Sequence, residues 1–140
     1  MHPIAVLSKK SETERPSSSR IARRRMTSRG PDEPDERALE ICEGVIDVVA
    51  ALYNVSSKEV RRPGRTGLGV SRVRQIAMYV AHVSMRLNMR HIGRGFGRDR
   101  TTVVHACHLV EDMRDDPDFD QVVGVTERVV LAAFGVRAGR

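Results

Sequence analysis

Residues 92–108 read IGRGFGRDRTTVVHACH. A short glycine-rich segment runs into two arginines flanking an aspartate, then two adjacent threonines, then apolar residues at helical spacing. The start of a helix presents unpaired backbone N–H groups and the positive end of the helix dipole, so such a junction suits either a bound phosphate or a face of DNA. The residues around it decide between the two.

On its N-terminal side, Met89 to Phe96 forms a short predicted helix with Ile92 and Phe96 four apart on one side. Gly97 gives the chain a residue permissive enough for a tight turn. Asp99 can cap a further helix in which Val103, Ala106, Cys107, Val110 and Met113 form the buried stripe, leaving Thr101, Thr102, His105 and His108 on or beside the open face. Two short helices joined by a glycine turn, the second opening with small polar and charged groups, make a helix-turn-helix whose second helix lies in a major groove. Any pair of packed helices would show the same periodicity, so the flanking charge carries more weight. Arg86, Arg90, Arg94, Arg98 and Arg100 stand where they can meet phosphates on either side of the groove. Thr101 and Thr102 suit thymine methyls and phosphate oxygens, and Asp99 can accept from a cytosine amino group or act only as a cap.

Further upstream, Leu39, Cys42, Val45 or Ile46, Val49 and Leu52 recur at helical spacing through Tyr53, with acidic residues from Asp32 to Glu36 suited to the first turn. Ser56-Ser57-Lys58-Glu59 offers a capping box for a short second helix, which the proline and glycine of RRPGRTG end. Residues 61–70 are expected to form a basic loop. Ser71 is expected to cap the next helix, with Val73, Ile76, Ala77, Val80, Ser84 and Leu87 inward and Arg72, Arg74, Gln75 and His82 nearer the other faces. A last helix is expected from 118 to 134. No strand-period alternation stands out, so the fold class is all-α. Residues 1–30, rich in Ser, Arg and Lys, are expected to be a disordered basic tail, passive or adding nonspecific phosphate contacts, ahead of one domain over 31–140.

Composition agrees with helices. Of 140 residues, 40% are hydrophobic but only 4% aromatic, with no Trp, so the core must come from Val, Ile, Leu, Ala and Met. The net charge of +6 is unevenly spread: residues 58–100 hold eleven basic residues against two acidic ones, whereas 31–57 and 101–140 are net acidic. A merely solvated surface mixes signs, so the basic block points to an extended polyanion as partner. The acidic stretches leave room for a protein-docking adaptor with secondary DNA contact. RNA readers usually offer stacking aromatics, and the basic block has only Tyr79 and Phe96.

Other chemistries fit poorly. Cys42 and Cys107 both fall on apolar stripes and suggest small buried hydrophobes, with no disulfide framework. No segment has the apolar length of a membrane span and MHPIAVLSKK does not resemble a signal peptide, so a cytoplasmic, nucleoid-associated protein is expected. RPGRTGLG and GRGFGRD lack the lysine and hydroxyl of a nucleotide-phosphate loop, so no nucleotide and no cofactor are expected. His105, Cys107 and His108 cannot converge on a metal from one helix, and no oxyanion site adjoins either thiol; the chain is not expected to be an enzyme.

IGRGFGRDRTTVVHACHLVEDM resembles the C-terminal DNA-binding domain, domain IV, of the bacterial replication initiator DnaA, and VRRPGRTGLGVSRVRQIAMYVAH is similar to that domain's basic loop and following helix. The resemblance runs from about residue 40 to 115. It implies a Trp-repressor-like helix-turn-helix bundle that binds short double-stranded DNA boxes, here without the ATPase module, as a regulator of transcription or of replication initiation. It implies that Asp99, Arg100, Thr101, Thr102 and His105 face the major groove, and that Arg65, or Arg62, enters the minor groove. Arg61, Arg72, Arg74, Gln75, His82, Arg90 and Arg98 would then contact the minor groove or phosphates. The chain departs from the family at FGRDRTT, where the family usually has FGGRDHTT, and Arg100 stands in place of the histidine. The loop carries a Pro63-Gly64 insertion and Arg72-Val73-Arg74-Gln75 instead of R-P-R-Q, and His82 replaces the usual lysine. Arginine favours guanine O6 and N7, so these departures bear on the preferred box.

Overall fold

Helix α1 spans Asp32–Leu52, α2 Ser57–Arg61, α3 Leu68–Val83, α4 Met89–Phe96, α5 Arg100–Met113 and α6 Pro117–Ala133 in a computed structural model that describes residues 32–135, with side chains from 35 onward. The basic tail expected over 1–30 lies outside the described residues. Among the described residues there is no strand, in agreement with the all-α reading.

The compact unit Glu36–Arg140 is organised around α3. From Val73 to Ala81 this helix is buried almost all round, with only Gln75 half-exposed, because α2, α4, α5 and α6 all pack on it. Cys42, Val45, Ile46 and Val49 from α1, Ile92 and Phe96 from α4, Val103 and Val110 from α5, and Val123 and Val130 from α6 join it in one core. Both thiols are core groups: burial pushes Cys42 up to about 12 and Cys107 up to about 11, so neither is a nucleophile at neutral pH.

The local signals mostly work as the sequence indicates. The Ser56 side chain accepts from the Lys58 backbone N–H at the start of α2. α4 has the expected bounds, with Asn88 capping it through the His91 N–H at 2.7 Å. α6 begins with Pro117 behind an Asp116 cap, one residue before the expected start.

One boundary differs. α3 begins at Leu68 rather than after a Ser71 cap, so the last three residues of the expected 61–70 loop are helical. Its cap residue is Gly67, in extended conformation with no side-chain hydrogen bond, and the Ser71 hydroxyl pairs instead with that of Thr66 at 3.2 Å. A helix that starts without a side-chain cap leaves little trace in sequence, because its first turn is held by packing and not by a local donor–acceptor match.

α6 is fastened to the bundle by polar contacts. The Arg114 guanidinium donates to Asp120 at 2.6 Å, to Glu127 at 3.2 Å and to the Tyr79 hydroxyl at 3.2 Å, while Tyr79 donates to Glu111 at 2.6 Å. The hydroxyls of Tyr53 and Thr126 lie 2.8 Å apart, linking the residue that follows α1 to α6. Some of the acidic charge of the C-terminal stretch is therefore compensated inside the domain.

Candidate nucleic-acid interface

The turn between α4 and α5 closes as a Schellman motif. Gly97 takes the left-handed conformation at φ 68°, its N–H reaches Arg94 O at 3.4 Å, and the Arg98 N–H reaches Gly93 O at 2.9 Å. The chain folds back so closely that a Cβ on Gly93 would lie 2.7 Å from the carbonyl oxygen of Arg98. The glycines of IGRGFG thus serve close packing and turning.

Asp99 then caps α5, its Oδ1 accepting from the Thr102 N–H at 2.9 Å. The Thr102 backbone N–H, and after it the Thr102 side chain, hold the Asp99 carboxyl below the usual aspartate range, with desolvation opposing. A depressed folded-state pKa contributes stability above the ordinary aspartate pKa and loses it as pH falls through the depressed value. Replacing Asp99 by Asn, which caps without titrating, is therefore expected to flatten the acid side of the melting-temperature profile between about pH 5 and 2. An unchanged slope in thermal unfolding would show that titration of the Asp99 carboxyl contributes nothing to stability.

Helical spacing sorts the rest of α5. Val103, Ala106, Cys107 and Val110 are buried, while Arg100, Thr101, Thr102, His105 and His108 are exposed. Cys107 and the two histidines therefore lie on different faces. Between α3 and α5 runs a groove of about 360 Å³, lined on its polar side by Ser71, Arg74, Gln75, Arg98, Thr102 and His105. A larger cleft of about 1400 Å³, bordered by Ile41, Met85, Arg114, Glu127 and Phe134, contains none of the α5 residues expected to meet DNA.

The arginines divide into two groups. Arg65, Arg90 and Arg100 are exposed, and their side chains make no hydrogen bond or ion pair among the described residues. Arg72 donates to Gln75 Oε1 at 2.6 Å, and Arg62 makes an exposed pair with Glu59 at 3.4 Å. These side chains sit at the surface, beside or ahead of the groove.

Three expected contacts are placed otherwise. Arg61 points back to α1, donating to Glu43 at 2.7 Å and Asp47 at 3.2 Å, so its charge is already compensated. Arg74 is 6% exposed: its Nε donates to Val60 O at 2.8 Å, and one Nη donates to Glu59 O and to Thr66 Oγ1, both at 3.2 Å. Burial, and after it the neighbouring Arg98 charge, pushes the Arg74 guanidinium below its ordinary range, with Glu59 opposing. It satisfies the carbonyl end of α2 while also lining the groove between α3 and α5. His82 Nδ1 lies 2.9 Å from Leu87 O, closing the α3–α4 connection. In each case a partner distant in sequence or beyond the helix end captures a side chain that helical phase alone assigns to the surface.

Arg98 does something helical phase could not show: it donates to Arg62 O at 3.1 Å across 36 positions, joining the basic loop to the turn before α5.

Comparison with known proteins agrees with this arrangement. Residues 42–110 match the family described as "Bacterial dnaA protein helix-turn-helix". The chromosomal replication initiator protein DnaA of Mycobacteroides abscessus is 37% identical over 99 residues, 69% of this chain and 20% of that protein. The DnaA of Nitrobacter hamburgensis is 44% identical over 82 residues, 58% of this chain and 16% of that one. The chain thus spans about a fifth of the length of the curated relatives it matches. A crystal structure of a DNA replication initiation factor superposes with a TM-score of 0.66 at 27% identity, covering 74% of this chain and 32% of that one. The replication initiator DnaA bound to AMPPCP and single-stranded DNA gives 0.61 at 26% identity, covering 79% and 34%. With the helix-turn-helix geometry, the match places residues 42–110 in the DnaA C-terminal helix-turn-helix family of DNA-binding domains.

Proposed function

We propose that this protein binds double-stranded DNA sequence-specifically and regulates transcription or replication initiation, acting at the nucleoid in the cytoplasm. The observation that carries the reading is the exposed face of the first two turns of α5: Arg100, Thr101, Thr102 and His105 stand clear of a buried opposite face. A helix entering a major groove by its N-terminus presents these positions to base edges. Arg100 reads guanine O6 and N7, and the threonines contact thymine methyls or nearby phosphates. Arg65, unpaired on the basic loop, reaches the adjacent minor groove; Arg72, Gln75, Arg90 and Arg62 lie against the backbone.

The test is selection of bound duplexes from a random pool, followed by titration of the winner. One short motif is expected to emerge. Arg100→Ala is then expected to cost about 1–3 kcal/mol on that duplex, roughly 5- to 150-fold, and much less on a scrambled one. If no motif emerges and affinity follows salt alone, the domain coats phosphates and reads no sequence.

A further inference from the structure

The loop that carries Arg65 is open. Residues 63–65 make no hydrogen bond among the described residues, Gly64 has φ +83°, and a Cβ built on Gly64 or Gly67 would meet nothing within 4 Å. Left to itself, such a segment samples many conformations, and an arginine on it would lose that freedom on entering a groove. Yet both its ends are held by guanidinium groups from outside the loop. Arg74, from α3, donates to Thr66 Oγ1 on the far side and to the carbonyls of Glu59 and Val60 before the loop. Arg98 donates to the carbonyl of Arg62, where the loop begins.

Arg98 is also the residue immediately before the α5 cap, and its own N–H is fixed to Gly93 O by the turn. The start of the recognition helix and the start of the basic loop are therefore one mechanical piece. We propose that Arg98 is a positioning residue that clamps the basic loop to the helix-turn-helix turn, holding the arginine for the minor groove and the helix for the major groove at one offset. Its DNA consequence rests on the reading given under Proposed function. Arg98 then acts through Arg65, and not by meeting a phosphate itself.

The experiment has two arms on the full chain. In the free protein, backbone order parameters for residues 64–67 are expected to be in the rigid range and to fall below about 0.6 in Arg98→Met, with the remainder of α3 and α5 unchanged. Unchanged values would overturn the clamp. In the second arm, Arg98→Met, Arg65→Ala and the double variant are titrated with the selected duplex. Arg98→Met alone is expected to weaken binding about tenfold, and to add nothing once Arg65 is gone. Losses that multiply in the double variant would show Arg98 contacting DNA directly and overturn its positioning role. Failure to select any duplex, with the loop still loosening in Arg98→Met, would instead refute sequence reading and leave the clamp standing.

Discussion

Gly93→Ala is expected to unseat the recognition helix. The added methyl would lie 2.7 Å from Arg98 O, closer than packed carbon and oxygen approach, and the obstructing atom is backbone. A side chain could swing aside, but Arg98 is held by its N–H to Gly93 O and by its guanidinium to Arg62 O. Overpacking of this kind costs about 1–3 kcal/mol. For a domain of this size that lowers the melting temperature by several degrees, about 4–8 °C for each kcal/mol. Gly69→Ala is the control, because a Cβ there meets nothing within 4 Å and the position is helical. It is expected to be neutral or slightly stabilising, as alanine favours helix over glycine by roughly 0.5–1 kcal/mol. Thermal unfolding of the two variants decides the matter, and equal melting temperatures would remove the steric argument.

Arg74→Met is expected to lower stability by about 2–3 kcal/mol, since it deletes charge-assisted hydrogen bonds and strands the carbonyl of Val60 near the core, while that of Glu59 keeps the Arg62 N–H. Methionine keeps most of the volume, so the loss is chiefly polar. A phosphate contact would behave in the opposite way: stability would hold, and the salt dependence of DNA binding would fall by about one counterion. Urea unfolding together with a salt titration separates the two roles. An unaltered unfolding midpoint would return Arg74 to the DNA-facing set.

These two residues mark where sequence reasoning stops. α4, the Gly97 turn and the Asp99 cap were legible because each is set by neighbours within five positions, through a donor, a dihedral or an apolar period. The exposed set Thr101, Thr102, His105 and His108 followed from the same phase. Arg74 was not legible: the phase of α3 sends it outward, and only the carbonyl end of α2, 14 and 15 residues away, explains why it turns in. The pairing of Arg61 was not legible either, its partners being carboxylates 14 and 18 positions back on α1. The early start of α3 had no capping side chain to announce it. What sequence conveys poorly here is the pairing of cations with distant backbone carbonyls, because a carbonyl has no residue type.

That same anonymity has a physical consequence. The acceptors of Arg74 and Arg98 on the basic loop's approach are peptide oxygens, which neither titrate nor carry a net charge for mobile ions to shield. Rising ionic strength weakens attachment to a polyanion by restoring its counterions, while the loop's own fastening depends far less on screening. High salt would then release the nucleic acid from a reading surface that keeps its form, ready to rebind without first refolding its loop.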